Sequence, residues 1–228
     1  MPDGRRSRSP DRAPGTPRRP TGPRSVAGAT ASPAGAGRVI AGTARGTRLA
    51  APGSLTRPLG DRVKETLFAI LEPELRGAAF LDLFAGSGAA GIEALSRGAA
   101  AATFVERDRG AESVIRANLE RTHLAGPTVR VVRADVIGWL TSAPDFGNGP
   151  FGAALIDPPY DRADLLAAAL ELLGGVATIL SPGAVVVTKH FWRTEQPARI
   201  GLLASERARR FGETTLTFYR AAGAEANG

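Results

Sequence analysis

The sequence contains no cysteine. This absence excludes disulfide bonds and every zinc site that depends on cysteine ligands. There is also no uninterrupted run of about 18 apolar residues, which a transmembrane helix would need. The N-terminus is rich in arginine and proline and lacks the apolar segment of a secretory signal. We therefore expect a soluble, cytoplasmic protein whose 228 residues, 43% of them hydrophobic, form one α/β domain and a disordered end.

Positive charge is concentrated in the N-terminal third of the chain. Residues 1–37 contain seven arginines and two aspartates, a net charge of +5, and residues 38–76 add +3. The remaining 152 residues sum to −1. Such a basic segment beside a nearly neutral body favours attraction to a polyanion. For residues 1–37 the alternative is a leader that only increases solubility.

Composition divides the chain into four parts. The first is dense in proline, glycine, serine and arginine and is predicted to be disordered. A basic hairpin with a helix, a larger body and a flexible C-terminus follow. The predicted boundaries are 1–37, 38–76, 77–222 and 223–228.

The basic part, 38–76, is predicted to contain two short strands and one helix. Segments 38–42 and 47–50 have strand-like composition around a glycine-containing turn. A helix is predicted from about residue 60 to residue 71, with Pro73 marking its end.

Strand and helix patterns alternate regularly from residue 79 onward. Alternation of this kind favours a doubly wound, Rossmann-like α/β fold with a mostly parallel sheet. The last two strands alternate in the manner of an antiparallel hairpin, so we expect seven strands in total. The predicted strands are 79–84, 101–106, 128–133, 153–157, 184–189, 198–211 and 214–220.

A glycine-rich loop follows the first strand of the body. Gly86, Gly88 and Gly91 match the pattern G-x-G-x-x-G, and Glu106 ends the next strand. The pattern also occurs in nicotinamide-dependent oxidoreductases, which remain an alternative. Asp82 argues for S-adenosylmethionine (SAM) instead, because a carboxylate before the loop would repel a pyrophosphate and attract an ammonium group.

The predicted cofactor contacts follow from this choice. Asp82 would receive the ammonium group directly or through water, and Glu106 would accept hydrogen bonds from the ribose hydroxyls. Asp135 follows the third strand, where it could meet the adenine amino group or cap the next helix. The full predicted set is Asp82, Phe84, Ala85, Gly86, Ser87, Gly88, Glu106, Arg107, Asp135 and Asp157.

The tetrad Asp157-Pro158-Pro159-Tyr160 is the most specific signal in the chain. The prolines stiffen the loop and donate no amide hydrogen, so acceptors dominate its polarity. An exocyclic base amine needs such acceptors to aim its lone pair at a methyl group. Asp157 and the Pro158 carbonyl are predicted to supply them, with Tyr160 as a stacking surface. These four residues are the predicted catalytic set, with no metal required.

The same motifs resemble a known family. The tetrad together with the segment 82–88 is similar to amino-methyltransferases acting on adenine, cytosine or guanine. Segments 38–42, 61–68 and 88–98 resemble the RsmD family of bacterial 16S ribosomal RNA guanine-N2 methyltransferases. The resemblance spans roughly residues 38–220.

This resemblance implies a substrate and a set of contacts. The substrate would be 16S ribosomal RNA in the 30S subunit or an assembly intermediate, and the enzyme a monomer. The basic segment would contact RNA and partly cover the cofactor. The residues carried over as RNA contacts are Arg38, Arg45, Arg48, Arg57, Arg62 and Lys64.

Three alternatives remain open. A DNA or RNA adenine-N6 or cytosine-N4 methyltransferase shares the tetrad, although reading duplex DNA usually needs a larger recognition domain. An oxidoreductase shares the glycine pattern, and a non-catalytic RNA-binding protein could share the scaffold. Lys189 stands where many members of the resembled family carry glutamate, and His190 is interpreted as a packing residue rather than a catalyst.

Overall fold

The computed structural model describes residues 37–53, 59–142, 147–176 and 178–223. Almost all of the predicted tail, the residues after 223 and Arg57 lie outside the described residues. The helices are α1 (Asp61–Leu75), α2 (Ala89–Ser96), α3 (Arg109–Arg121), α4 (Val136–Ser142) and α5 (Ala163–Gly175). The strands are β1 (Ala79–Leu83), β2 (Ala101–Glu106), β3 (Val129–Arg133), β4 (Phe151–Ile156), β5 (Leu180–Phe191), β6 (Arg199–Ile200), β7 (Leu203–Phe211) and β8 (Thr214–Ala221).

The strands form one mixed sheet in the order β3-β2-β1-β4-β5-β8-β7-β6. The first five are parallel to one another, whereas β8, β7 and β6 join by antiparallel pairing. The expected Rossmann-like sheet with a terminal antiparallel hairpin is thereby confirmed. Strand order reverses between β1 and β4, and a ligand crevice is expected outside the carboxyl ends of the strands at such a point.

The sheet contains eight strands in the described residues rather than the seven predicted. The stretch 198–211 was expected to be one strand, but it folds as β6 and β7. Gly201 separates them with a backbone φ of 52°. This left-handed conformation suits glycine and cannot continue an extended strand, so the chain turns there.

Apolar layers cover both faces of the sheet. On one face Leu166, Leu170 and Leu173 of α5 pack against buried strand residues. On the other face α1 packs with Leu67, Phe68 and further buried positions. Since both faces are covered, the central strands are apolar almost throughout, as parallel strands in α/β proteins usually are.

Helix α1 extends beyond the predicted stop at Pro73 and ends at Leu75. Leu71 and Leu75 are both fully buried and lie four residues apart, so the apolar face continues past the proline. The proline removes the hydrogen bond to the carbonyl of Ala69, which lies on an exposed residue where water can replace it. Packing thus outweighs the local break.

The segment 38–53, called the strap below, folds back on itself as the predicted hairpin does, with backbone hydrogen bonds from Val39 to Thr47 at 3.0 Å and from Gly46 to Val39 at 2.9 Å, but its two arms are not full strands. It has one isolated antiparallel bridge, between Arg38 and Arg48. The helices beneath the strap hold it as well. The fully buried Glu93 of α2 accepts hydrogen bonds from the backbone amides of Ile40 at 2.7 Å and Ala41 at 3.0 Å.

Two more buried side chains hold the strap. Lys64 of α1 is fully buried and donates to the carbonyl of Arg38. Asn118 of α3 accepts from the amide of Ala50 at 2.8 Å and donates to the carbonyls of Ala50 and Ser87, both at 3.0 Å. The strap is therefore tied to both the helices and the glycine-rich loop. Within the described ranges, none of the helices has the length and apolarity to cross a membrane.

Candidate active site

A cleft of about 740 Å³ opens at the carboxyl ends of β1, β2, β4 and β5. Its volume suits a small-molecule ligand of cofactor size. Nine of the ten predicted cofactor residues and all four residues of the tetrad line it, so these separate sequence motifs meet in one place. The exception is Gly88, which caps α2 with a φ of 74° and packs toward Ile115 and Phe104.

The glycine-rich loop is shaped by left-handed backbone conformations. Phe84 has a φ of 61° and Gly86 a φ of 55°. This turn directs the amide of Gly86 to Glu106, whose Oε2 accepts it at 2.9 Å. The other oxygen of Glu106 accepts from the amide of Asp108, also at 2.9 Å. Glu106 is thereby fixed at the cleft, with lone pairs remaining for ligand hydroxyls.

Asp82 lies deeper, near the end of β1. Its Oδ2 accepts from the amide of Gly91 at 2.9 Å, and only 2% of the residue is exposed. Burial raises the pKa of Asp82 to about 8, the Gly91 amide opposes this, and the Asp157 and Glu106 carboxylates add to it. A cationic ligand group in this cleft would stabilise the ionised form of Asp82.

Gly91 has two roles that both require glycine. Its amide holds Asp82, as described. A Cβ atom at this position would lie 2.2 Å from Cε1 of Phe104, which is fully buried. Helix α2 can therefore approach β2 closely only because residue 91 has no side chain.

Asp135 was left open between cofactor contact and helix cap. The structure shows that it caps α4, since its Oδ1 accepts from the amide of Gly138 at 3.0 Å. It also lines the cleft and is exposed. The cap and a ligand contact are compatible, because a carboxylate has four lone-pair sites.

Asp157 follows β4 and forms an ion pair with Lys189 of β5, with 2.6 Å between Oδ1 and Nζ. Its side chain is 23% exposed, toward the cleft. Burial raises the pKa of Asp157, and the ammonium of Lys189 opposes that rise. Burial alone would lower the pKa of Lys189, but Asp157 and Tyr160 raise it overall, so this amine is protonated.

Tyr160 is held at the mouth of the cleft. Its hydroxyl is 2.6 Å from Oγ1 of Thr214, at the start of β8. The ammonium of Lys189 lies 4.9 Å from the centre of its ring. Tyr160 is 40% exposed, so a surface remains available for stacking.

His190 is interpreted as a packing residue, and its contacts agree with that. Nδ1 donates to the Phe191 carbonyl at 2.9 Å, and Nε2 then accepts from the Thr217 hydroxyl at 2.9 Å. Burial lowers the pKa of His190, which favours this neutral form. Both ring nitrogens are occupied away from the cleft.

The predicted RNA contacts differ in whether their charged groups are exposed. Arg45, Arg48 and Arg62 are exposed, and Arg38 is exposed while paired with Asp61 at 3.3 Å. Lys64 is a correction: its buried ammonium is used to hold the strap and is inaccessible to RNA. The neighbours of Lys64 in α1 gave no sign of this burial, because the carbonyl that it meets belongs to Arg38, 26 residues away in the chain.

Sequence reasoning missed part of the cleft. Ala51, Pro52 and Gly53 of the strap, and Leu59 after it, line the wall. The prediction that the basic segment partly covers the cofactor named no residue for this purpose. No sequence motif marks these residues, and their place at the cleft follows from Asn118, which ties the strap to the glycine-rich loop.

The fold and the cleft define a class. A doubly wound sheet with a glycine-rich loop, an acidic residue ending β2 and acceptors after β4 is the architecture of SAM-dependent methyltransferases. The structure of SMU.776, a methyltransferase in complex with S-adenosylhomocysteine (SAH), has this fold, with a TM-score of 0.52 at 17% identity over 68% of this chain and 48% of that chain. At this identity the likeness shows a shared fold, and the residues that line the cleft in this chain include nine of the ten predicted to contact SAM.

Within this class the family is also defined. Residues 37–220 match the model of the family described as Conserved hypothetical protein 95, and the chain belongs to this family, the RsmD methyltransferases. Ribosomal RNA small subunit methyltransferase D of Escherichia coli K12 is 42% identical over 60% of this chain and 66% of its own length. YlbH of Bacillus subtilis 168, named as an rRNA methyltransferase, is 37% identical over 82% of this chain and 100% of its own.

A solved structure supports the same conclusion. The structure of yhhF from Escherichia coli, titled a methyltransferase, matches with a TM-score of 0.68 and 35% identity. It covers 82% of this chain and 98% of that chain. The likeness thus extends over nearly the whole of the related protein.

Proposed function

We propose that this protein methylates the exocyclic N2 amine of a guanine in 16S ribosomal RNA, within the 30S subunit or an assembly intermediate. The observation that carries the proposal is Asp157, which lines the cleft beside Lys189 together with the residues of the glycine-rich loop. The name of the Escherichia coli relative supports a small-subunit RNA substrate.

Residues on the cofactor side of the cleft would bind SAM and orient it. Asp82 would face the ammonium group, and Glu106 the ribose hydroxyls. The strap residues 51–53 would limit access of water above them. When bound, SAM supplies a methyl group already activated by the sulfonium.

Residues on the acceptor side would hold the base. Asp157 and the Pro158 carbonyl would accept hydrogen bonds from the N2 amine and aim its lone pair. Asp157 would also stabilise the positive charge that develops on that nitrogen, and could take its proton. Tyr160 would stack on the base.

The pairing of Asp157 with Lys189 also favours guanine. The Watson–Crick edge of guanine presents two donor groups, N2 and N1, followed by the acceptor O6. A carboxylate with an ammonium 2.6 Å from one oxygen offers two acceptors followed by a donor. The Watson–Crick edges of adenine and cytosine present fewer groups that match two acceptors followed by a donor.

Labelled SAM offered to 30S subunits, to 16S RNA and to duplex DNA tests the proposal. We expect label in the 30S subunits, recovered by mass spectrometry as N2-methylguanosine. Label in duplex DNA alone, or in adenine or cytosine of the RNA, would contradict it. The subunits should come from cells without this gene, so that the target is unmodified.

A further inference from the structure

We propose that the terminal hairpin carries a second RNA-contacting surface, next to the mouth of the catalytic cleft. This inference rests on the proposed function and deepens it by naming where the RNA around the target base is held. The surface runs around the end of the terminal hairpin, with Trp192, Arg193 and Arg210 on one face and Arg207 and Arg209 on the other, and is called the hairpin patch below.

The topology places the hairpin patch at the catalytic edge of the sheet. Strand β5 ends at Phe191, and the β7–β8 turn lies beside it because both strands flanking the turn pair antiparallel to their neighbours. The amide of Trp192 donates to the carbonyl of Glu213 in that turn at 2.9 Å. Thr214, the next residue, contacts the hydroxyl of Tyr160.

Trp192 contacts two arginines of the hairpin patch. The guanidinium of Arg210 lies 3.9 Å from the centre of its ring, and that of Arg193 lies 4.7 Å away. Arg210 also donates to the carbonyl of Gly212 at 2.8 Å, which fixes the guanidinium beside the ring. Planar cations combined with an aromatic ring suit a polyanion that also carries stacking bases.

The arginines of the hairpin patch are available for an external partner. All four are exposed, and within the described part of the chain none forms an ion pair with a carboxylate. Glu206, the acidic residue of β7, is instead paired with Arg220 at 2.8 Å. Glu195 and Glu213 are the exposed acids nearby in sequence, so the local balance stays positive.

Charge on β7 also has a simpler explanation. Strand β6 pairs only with Leu203 and Ala204, so the rest of β7 is an open edge. Charged side chains protect such edges from pairing with another sheet. Edge protection does not need Trp192 or Arg193, which lie after β5, and it predicts no effect on RNA affinity.

The experiment compares two double variants of the full chain. R209A/R210A removes two charges from the hairpin patch, and R76A/R116A removes two exposed arginines that pair with Glu72 and Glu112 elsewhere. Binding to 30S subunits is measured across salt concentrations, separately from methyl transfer and SAH binding. Gel filtration checks the oligomeric state of each variant.

We expect R209A/R210A to weaken 30S binding roughly tenfold and to reduce the log–log salt slope by about 1.4, since each single-strand phosphate contact contributes about 0.7. KM for 30S should rise while kcat and SAH affinity stay unchanged, and R76A/R116A should match the wild type. Trp192→Ala should weaken binding about fivefold with an unchanged salt slope, because stacking involves no counterion release.

Equal 30S binding by R209A/R210A and R76A/R116A would overturn the hairpin patch. So would weaker binding with an unchanged salt slope, which would point to a ribosomal protein as the contact. A wild-type enzyme that binds 30S but transfers no methyl group would overturn the proposed function instead, while the binding data would still decide the hairpin patch.

Discussion

The two sides of the cleft hold their carboxylates differently. On the cofactor side, backbone amides of Gly91, Gly86 and Asp108 hold Asp82 and Glu106. On the acceptor side, the charged amine of Lys189 holds Asp157. Amides hold a carboxyl group without supplying a positive charge, so the first side can pair with a cation, which favours the ionised form of Asp82. A balanced ion pair suits a neutral base. The comparison teaches that each side of the cleft has the charge that suits the ligand group it would bind.

Asp157→Ala should have the largest effect and should separate the two sides most clearly. We expect a loss in kcat on the order of 10³-fold, because the group facing the developing charge is removed. SAH affinity should stay close to that of the wild type. Methyl transfer to 30S and calorimetry with SAH measure the two effects, with Asp164→Ala as an exposed acidic control. Unchanged transfer by Asp157→Ala would refute its catalytic assignment.

Asp82→Asn should affect the other side. With a pKa of about 8 Asp82 carries a proton at pH 7 in the free enzyme, and a cationic ligand favours its ionised form. SAM affinity of the wild type should therefore rise with pH up to about 8 and then level off, with proton release on binding. Asp82→Asn should weaken SAM binding about tenfold and abolish that pH dependence. Calorimetry in buffers of different ionisation enthalpy measures the released proton, and a pH dependence retained in Asp82→Asn would contradict this assignment.

The same pKa shift affects the stability of the ligand-free protein. The pKa of Asp82 is about 8 in the folded state and 3.8 as its ordinary value, so the folded protein binds the extra proton between these limits. The contribution of this group is fully present below about pH 4 and is lost as pH rises through 8. Asp82→Asn should have a flatter stability profile over this window in urea titrations.

Lys189→Met should leave the Asp157 carboxylate, on the acceptor side, without its ion-pair partner. Without the ammonium, burial should raise the pKa of Asp157 further. Since the ionised form is the acceptor, the acid limb of the kcat profile should move to higher pH, and transfer at pH 7 should fall about tenfold. Lys189→Arg keeps the charge and should keep the limb in place. An unshifted limb in Lys189→Met would show that the ion pair does not set the Asp157 pKa.

Tyr160→Phe should have the smallest effect. It removes the hydrogen bond to Thr214 and keeps the ring, so KM for 30S should rise by a few-fold, in line with about 1 kcal/mol for one hydrogen bond. Thr214→Val removes the same bond from the other partner. The two changes together should cost no more than either alone, and additive effects would show that the bond does not position the ring.

Much of the fold and cleft was predictable from local pattern. The alternation of strands and helices, the glycine-rich loop and the Asp157 tetrad are each contained in a short stretch of sequence. The errors share a cause in long-range packing. Helix α1 passes Pro73 because Leu71 and Leu75 continue a buried face, and the arms of the strap pair at one bridge rather than as full strands, with Glu93 and Asn118 accepting from amides of the strap.

The roles of individual charges were the least predictable part. Lys64 and Lys189 are the two lysines of the chain, and each is buried against a partner from another element. Lys64 meets the Arg38 carbonyl, 26 residues away, and Lys189 meets Asp157, 32 residues away. The summed charge of the body, −1, also concealed the exposed arginines of the terminal hairpin.

The sequence by itself determined the class of fold and the loops that line the cleft, because these depend on residues adjacent along the chain. Only the tertiary structure decided which charges face the cleft, which hold the strap and which are exposed beside the mouth. The physical reason is that burial and pairing set the pKa and availability of a charge, and both depend on neighbours that are distant in sequence.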